Sequence, residues 1–585
     1  MLKKVSYILD RKQKVKLFFL MIIIIIGAFI ELLGVSAILP LINVVLEPET
    51  IDTTWYLILI KNIMNYTQTS ELVIFLAVFL IIIYILKNIY ITLMYNAQYC
   101  FIFNNQRKLA VRMMSTYLHQ SYLYHVSKNV AELQRIVKED VNGFYTVVLN
   151  SLQLLAETSV CVALVIFLMK TDIMTTLVVA ALLLIFSFLV GVVSKKILLK
   201  KGIQNRDLNI QLNKWLLQSF YGIKEIKVMN REKFFLQKYG GTYDKYTIIQ
   251  RQQSMLNFLP RPIMETVCIC GLLVTLILKM LFGSDSIQSF IPTLSVFAIA
   301  AFRMLPSFNR ISGYISMIMF DRPSIDVLYQ DLKEIEKLKE TMQDITNLNT
   351  ESFEIKNKDI RIDNVSFHYP ENNKWILKNV NFEIKANTSV AFVGNSGAGK
   401  STLADILLGI LEPQEGKIVV GDIDIKQNLS DWHKNIGYIP QTIYLMDDTI
   451  RTNIAFGLDR EQISEDALWR AIQEAQLEQF IKSLPEGLDT IVGDRGVKLS
   501  GGQRQRIGIA RALYSQPAVL IMDEATSALD NETEREVMEA IDGLKGTRTL
   551  IIIAHRLTTI KNCDVIYEVK DTGIEERRKE DILKF

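Results

Sequence analysis

The sequence predicts a two-part chain: a six-helix transmembrane bundle, all α with long cytoplasmic helical extensions, followed by an α/β domain built on a P-loop. Three observations predict it. Six apolar stretches lie before residue 320 and none of comparable length follows. Beyond residue 350 short strand-like runs alternate with helical segments, the pattern of an α/β domain. One of those runs feeds directly into a glycine-rich loop and a helix.

The apolar stretches are Leu17–Val45, Leu72–Leu86, Phe144–Met169, Met174–Val193, Ile263–Phe282 and Ile287–Leu305. A span needs roughly 20 apolar residues. The second is short as drawn but continues through Lys87 to Leu93. The first is too long for a signal peptide, and it runs through Glu31 and Pro40.

Loop charge sets the orientation. The first 16 residues carry six cations, Lys3, Lys4, Arg11, Lys12, Lys14 and Lys16. The loop 46–71 has only Lys61, and the 283–286 hairpin has none. By contrast, 94–143 carries six Lys/Arg and 194–262 carries fourteen. The N-terminus, the two long loops and the C-terminal half are therefore expected in the cytoplasm.

Those two loops are rich in helix formers, so the spans are expected to continue as helices into the cytosol. Turns are expected near Tyr122–Asn129 and Tyr221–Glu225. On the outer side, Trp55–Met64 is an apolar patch too short to span, either an interfacial helix or a packed loop. Domains are expected at 1–320 for the bundle, 321–350 for a charged helical linker, and 351–585 for the α/β domain.

With 585 residues, the chain exceeds one domain. Half of it is hydrophobic, and 65 basic against 62 acidic residues leave a net charge of +3. That balance excludes a nucleic-acid binder driven by bulk charge. Five cysteines in so long a chain exclude a disulfide scaffold.

The chemistry begins where Ser389–Val393 (SVAFV) runs into Gly394, Asn395, Ser396, Gly397, Ala398, Gly399, Lys400, Ser401 and Thr402. The spacing Gly-x-x-x-x-Gly-Lys-Ser, between a strand and a helix, is a Walker A loop. Its backbone N–H groups and the helix N-terminus cradle phosphates. Lys400 is expected on the β/γ-phosphates of ATP and Ser401 on Mg²⁺. Downstream, Val519–Met522 is an apolar run ending in Asp523 and Glu524, a Walker B strand. Asp523 is expected on Mg²⁺, and Glu524 is the candidate base that positions the attacking water. Between them, Leu499-Ser-Gly-Gly-Gln503 opens a helix, a second anion site.

Walker A, LSGGQ and Walker B in that order identify the chain as a member of the ABC ATPase family. With six spans ahead of one nucleotide domain, the whole chain resembles a half-size ABC exporter. The smaller motifs also match. Tyr369 resembles the aromatic that stacks on adenine. Gln441, in Gly437-Tyr-Ile-Pro-Gln441, resembles the Q-loop glutamine, with roles in catalysis and on the metal. Gly493–Gly496 resembles the X-loop, with Asp494 where Glu is commoner. Ser527–Asp530 resembles the D-loop, and His555 the switch histidine.

The resemblance implies that Ser500, Gly501, Gly502 and Gln503 of one subunit complete the ATP site of another, and hence a homodimer. It also implies a multi-pass protein of a bacterial inner membrane with its ATPase domain in the cytoplasm, and no nucleic-acid partner. Leu259–Pro262, Phe302–Ile311, the stretch from Asp321 onward and the outer apolar patch resemble the PglK-type flippase of lipid-linked oligosaccharides. That resemblance implies flipping of a polyprenyl-diphosphate glycan; exporters of lipid A-like lipids, drugs or peptides are the alternative.

Charges within the spans bear on the substrate. Lys87 and Arg303 fall roughly 22 and 24 Å along their helices from the outer end, and Arg261 opens the fifth span. The three cations are expected near one level. They either anchor the helices at the inner leaflet or line a cavity for a phosphate-bearing lipid.

Overall fold

The computed structural model describes residues 1–46, 58, 69–169, 173–282, 287–346, 358–370, 372, 374–523, 531–554 and 560–582. The chain forms two compact units, Met1–Gln120 with His125–Lys339, and Ser121–Tyr124 with Glu340–Phe585.

The first unit is helical throughout its described length. Its main helices are α1 (Arg11–Ser36), α2 (Thr69–Leu118), α3 (Val141–Met169), α4 (Ile173–Tyr221), α5 (Glu232–Phe258), α6 (Pro260–Phe282) and α7 (Ile287–Thr346). Among the described residues three segments are long and apolar enough to cross a membrane: Arg11–Gly34, Ser70–Leu118 and Val130–Met169. Helices also cover the other three apolar stretches, in α4, α6 and α7.

The long helices have a simple cause. α2 has 50 residues, or roughly 75 Å, against a hydrocarbon core of about 30 Å. Its apolar half lies in 72–93, and polar helix formers carry it on. It stops at Leu118, and short helices at Tyr122–Ser127 and Val130–Arg135 turn the chain back. The Asn129 side chain caps the second of these, accepting from the Ala131 N–H at 2.9 Å. α4 likewise stops at Tyr221, and Ile223–Val228 leads to α5. Both turns fall where the pattern broke in the sequence. The patch Trp55–Met64 lies outside the described residues except for Ile58. Of the 321–350 stretch, residues 321–346 continue α7; the last four lie outside the described residues.

Polar contacts fix how these helices lie together. α1 and α2 are antiparallel, held by Tyr90 Oη donating to the Ile23 carbonyl at 2.8 Å and Gln13 Nε2 donating to Asn105 Oδ1 at 3.0 Å. A π-helical turn, Ile136–Asp140, joins Val130–Arg135 to α3, and across it Arg135 and Asp140 form a fully buried ion pair at 2.5 Å. Deeper in α3, Glu157 pairs with Arg310 of α7 at 2.7 Å. α7 also crosses α4 closely. A Cβ at Gly202 would stand 2.1 Å from the Phe320 carbonyl oxygen, so only glycine fits there.

Beside that crossing is a polar cavity of about 580 Å³, lined by Arg135, Glu139, Arg206, Tyr246 and Asp321 among others. Burial pushes the Asp321 carboxyl from 3.8 up to about 7. The folded chain therefore holds this proton more tightly than the unfolded chain. That contribution to stability is complete below pH about 4 and is lost as pH rises through about 7. Asp321→Asn, neutral at every pH, is expected to unfold at a higher temperature than the parent above pH about 7, with the difference shrinking toward pH about 4. Thermal unfolding of the full chain in detergent across that range reads it out; parallel curves would contradict the assignment.

The second unit holds two sheets. One is antiparallel, with β1 (Ile360–Phe367), β2 (Leu377–Ile384), β4 (Glu415–Val420) and β5 (Ile423–Asp424) in the order β2-β1-β4-β5. The other contains β3 (Ser389–Val393), β6 (Ile436–Ile439), β7 (Val519–Asp523), β8 (Thr549–Ile553), β9 (Val565–Lys570) and β10 (Gly573–Arg577) in the order β10-β9-β3-β8-β7-β6. From β9 to β6 every pair is parallel. β3 and β8 are buried at every residue, as a parallel sheet covered on both faces requires.

Candidate nucleotide site

Parallel register places the functional residues. Phe392 pairs with Ile553, Asp523 with Ile553, and Met522 with Ile439. The C-terminal ends of β3, β8, β7 and β6 therefore lie side by side, the edge where open α/β sheets bind ligands. The loop Gly394–Gly399 leaves β3 there. Asp523 ends β7, and Gln441 follows β6 by two residues. Glu524 and His555 lie outside the described residues; β7 and β8 end one and two residues before them.

The loop's shape follows from its glycines. Gly394 has φ +143°, and a Cβ there would stand 2.4 Å from the Val569 carbonyl oxygen of β9. Gly399 has φ +104° and caps α8 (Lys400–Leu407). Both conformations exclude ordinary side chains. The first-turn N–H groups of α8 have no intrahelical acceptor, so they face the loop as donors. The Lys400 ammonium, largely buried, donates to the carbonyls of Gly394 at 2.9 Å and Asn395 at 3.0 Å. It stands inside the loop's curve.

Tyr369 lies 3.5 Å from Thr402, hydroxyl to hydroxyl, and its ring packs edge-on to Phe367 at 5.2 Å. The phosphate loop and the aromatic are thus adjacent, although 25 residues separate Tyr369 from Gly394 in sequence.

The electrostatics point to a cation. Asp405 of α8 is half-buried, and burial, then the charge of Asp523, raises its carboxyl to about 6. Burial and the same carboxylates push Tyr438 up to about 12. α8 packs against β7 and β8, and its Asp405 feels the charge of Asp523 at the end of β7. A hydroxyl and a carboxylate in a region of excess negative charge suit a hard divalent ion such as Mg²⁺.

LSGGQ opens α9 (Gly501–Leu513) through a capping box. Ser500 Oγ accepts from the Gln503 N–H at 3.2 Å, and Gln503 Oε1 accepts from the Ser500 N–H at 2.9 Å. Gly502 is buried, whereas Ser500 and Gly501 are exposed.

The sequence reading missed two residues here. Asp405 looked like any polar position of a helix. Arg511 sits on α9 and binds the segment after Gln441: Nε donates to the Asn453 carbonyl at 2.7 Å, Nη1 to the Tyr444 carbonyl at 2.7 Å, and Nη2 to Asn453 Oδ1 at 3.1 Å. Its guanidinium also lies 4.6 Å from the Phe456 ring centre. The three substrate candidates are placed separately. Lys87 is buried on α2, its ammonium 4.6 Å from the Tyr84 ring. Arg261 is exposed at the start of α6 and pairs with Glu265 at 3.1 Å. Arg303 falls on α7, with its side chain outside the described set. The described contacts do not bring the three together.

The profile of the family described as "ABC transporter" matches residues 377–527, the stretch holding both Walker motifs and LSGGQ. An ATP-dependent lipid A-core flippase of Cupriavidus metallidurans is 30% identical over 489 residues, 80% of this chain and 78% of that protein. The chain belongs to the ABC transporter family. A Bacillus subtilis protein named as the uncharacterized ABC transporter ATP-binding protein YwjA is 47% identical over 227 residues, 38% of this chain and 39% of that one. The structure of a bacterial Atm1-family ABC exporter with ATP bound superposes with a TM-score of 0.74 at 22% identity, covering 98% of this chain and 96% of that one. The protein is a half-size ABC exporter: a helical membrane region and an ATPase domain in one chain, with ATP hydrolysis coupled to transport.

In this exporter the Arg511 fork ties the helix after LSGGQ to the segment after the Q-loop glutamine. Arg511→Met would leave three acceptors without their donor, at about 1–3 kcal/mol. The expected outcome is a lower urea midpoint for the nucleotide domain within the full chain, while Arg511→Lys recovers only part of it because one ammonium cannot replace a planar fork.

Proposed function

We propose that this exporter is an ATP-driven flippase that moves a phosphate-bearing glycolipid from the cytoplasmic to the outer leaflet of a bacterial inner membrane, working as a homodimer with six spans per chain. Within that class the reading favoured by the PglK-type motifs is a polyprenyl-diphosphate-linked oligosaccharide. A second reading, a lipid A-like substrate, is favoured by the name of the 30%-identical relative. Both lipids present phosphate next to sugar, so the two share the chemistry of recognition.

The observation that carries the proposal is Lys87. It is 7% exposed within an apolar helix, and among the described residues no carboxylate pairs with it. Such a charge is costly unless it meets an anion or a wet cavity. Arg261 and Arg303 supply the companion cations, with Arg261 exchanging Glu265 for the substrate.

In the ATP site the loop N–H groups and Lys400 hold the phosphates, and Tyr369 stacks on adenine. Ser401, Gln441 and Asp523 hold Mg²⁺, which offsets charge on the phosphates when bound. Glu524 orients the attacking water, and His555 contacts the γ-phosphate side of the site. Ser500–Gln503 of the second subunit close it. Both half-sites carry their full set of residues, which supports two identical chains.

Two results test these assignments. Tyr369→Ala removes the stacking face and is expected to raise the KM for ATP roughly 5- to 150-fold, whereas Tyr369→Trp keeps it. Equal behaviour of the two variants would move the adenine platform elsewhere. For the substrate, Arg261→Ala or Arg303→Ala in reconstituted protein is expected to reduce flipping about 10- to 150-fold, with basal ATP hydrolysis kept. Offering a lipid-linked oligosaccharide and lipid A in parallel separates the two readings. Full flipping with two cations removed, or loss of flipping and ATPase activity together, would end the reading of Lys87, Arg261 and Arg303 as substrate contacts.

A further inference from the structure

A groove of about 470 Å³ runs between α1 and α2, on the face of Lys16, Phe19 and Ile23 in one helix and Phe101, Arg107 and Lys108 in the other. The two cross-helix hydrogen bonds set its register. Ile23 lies level with Tyr90 and Gln13 with Asn105, so Lys16 lies near residue 100. Ile23 and Phe19 line one end of the groove, Lys16 its middle and Arg107 with Lys108 the other end, about 11 Å further along the axis. The apolar end lies within the spans; the basic end emerges where the loop charges place the cytoplasm.

Some of the cations near the groove are already compensated. Lys4 pairs with Asp326 at 2.6 Å, Arg112 with Asp10 at 3.5 Å and Lys128 with Glu334 at 3.9 Å. Lys16, Arg107 and Lys108 are exposed, and among the described residues none of them forms an ion pair. Simple anchoring at the membrane border needs cations but no concavity. Here they occupy the middle and one end of a groove whose other end is apolar, with Phe19 59% exposed.

We infer that this groove binds an anionic phospholipid of the inner leaflet, its phosphodiester among Lys16, Arg107 and Lys108 and an acyl chain along Phe19, Ile23 and Phe101. The gradient from apolar to basic matches a lipid in its natural orientation. Basic pockets between spans on the cytoplasmic side take anionic headgroups in this way. A protein occupant would have to bring carboxylates to three uncompensated cations; a second copy of this chain would bring the same three cations if it docked by the same face. The inference depends on the membrane orientation and is independent of which glycolipid is transported.

Cys100 lies in the groove, exposed, and reports its occupancy. The full chain is placed in bilayers of phosphatidylcholine alone or with phosphatidylglycerol, and alkylation of Cys100 by N-ethylmaleimide is followed by peptide mass spectrometry. Phosphatidylglycerol is expected to slow Cys100 alkylation severalfold. Each cation near an anionic lipid contributes about a fivefold factor in affinity, so Lys16→Gln should weaken the protection about fivefold. The triple variant Lys16→Gln, Arg107→Gln, Lys108→Gln should lose it, with ATP hydrolysis unchanged as the check on folding.

Equal rates in the two bilayers would overturn the inference. So would slow alkylation in both, which places a second copy over the groove. Slowing by phosphatidylglycerol that persists in the triple variant would trace to the surface potential acting on the thiol, and would overturn it as well.

Discussion

The nucleotide domain depends on one close approach. At Gly394 the chain leaves β3 with its backbone against the Val569 carbonyl of β9, at a distance no side chain tolerates. β3 is buried on both sides between β9 and β8, so the chain can only leave along the sheet edge. That exit starts α8 at Lys400, whose ammonium is held by the loop carbonyls of Gly394 and Asn395. From there α8 packs on β7 and β8, which brings Asp405 within the field of Asp523. Register does the rest: once β3, β8, β7 and β6 are parallel, residues more than 120 positions apart share one edge.

Charge is handled differently in the two units. In the ATP domain, burial and then the charge of Asp523 raise the Asp405 carboxyl to about 6. In the helical unit, buried charge is mostly paired: Arg135 with Asp140, Glu157 with Arg310. Leaving a buried charge without its partner is costly, so the Glu157–Arg310 pair helps fix how α3 and α7 pack, and Arg135–Asp140 holds the π-helical turn before α3. Lys87 is a buried cation that no described carboxylate pairs with, whereas Lys16, Arg107 and Lys108 are exposed.

Much of the architecture was legible along the chain. Ser389–Val393 was expected as a strand and is β3; Val519–Met522 and Leu550–Ile553 are β7 and β8 to within a residue. The turns after α2 and α4 fall at Tyr122 and Gly222 because helix-forming composition stops there. The ATP site was legible because its chemistry depends on local spacing: glycines five apart, then lysine and serine at a helix start. Tyr369 was legible only through family resemblance, since its nearness to Thr402 comes from the fold.

Periodicity and motif spacing thus determined the helices, the strands, the phosphate loop and the order of the catalytic elements, because each rests on backbone geometry over a few residues. Tertiary structure alone decided which charges meet. Arg310 and Glu157 are 153 residues apart, Lys4 and Asp326 are 322 apart, and nothing in either neighbourhood selects the other. The same holds for Gly202, whose need for a bare backbone arises only when Phe320 crosses it. It holds as well for the groove between α1 and α2, since a concave surface exists only once two helices lie side by side in a particular register.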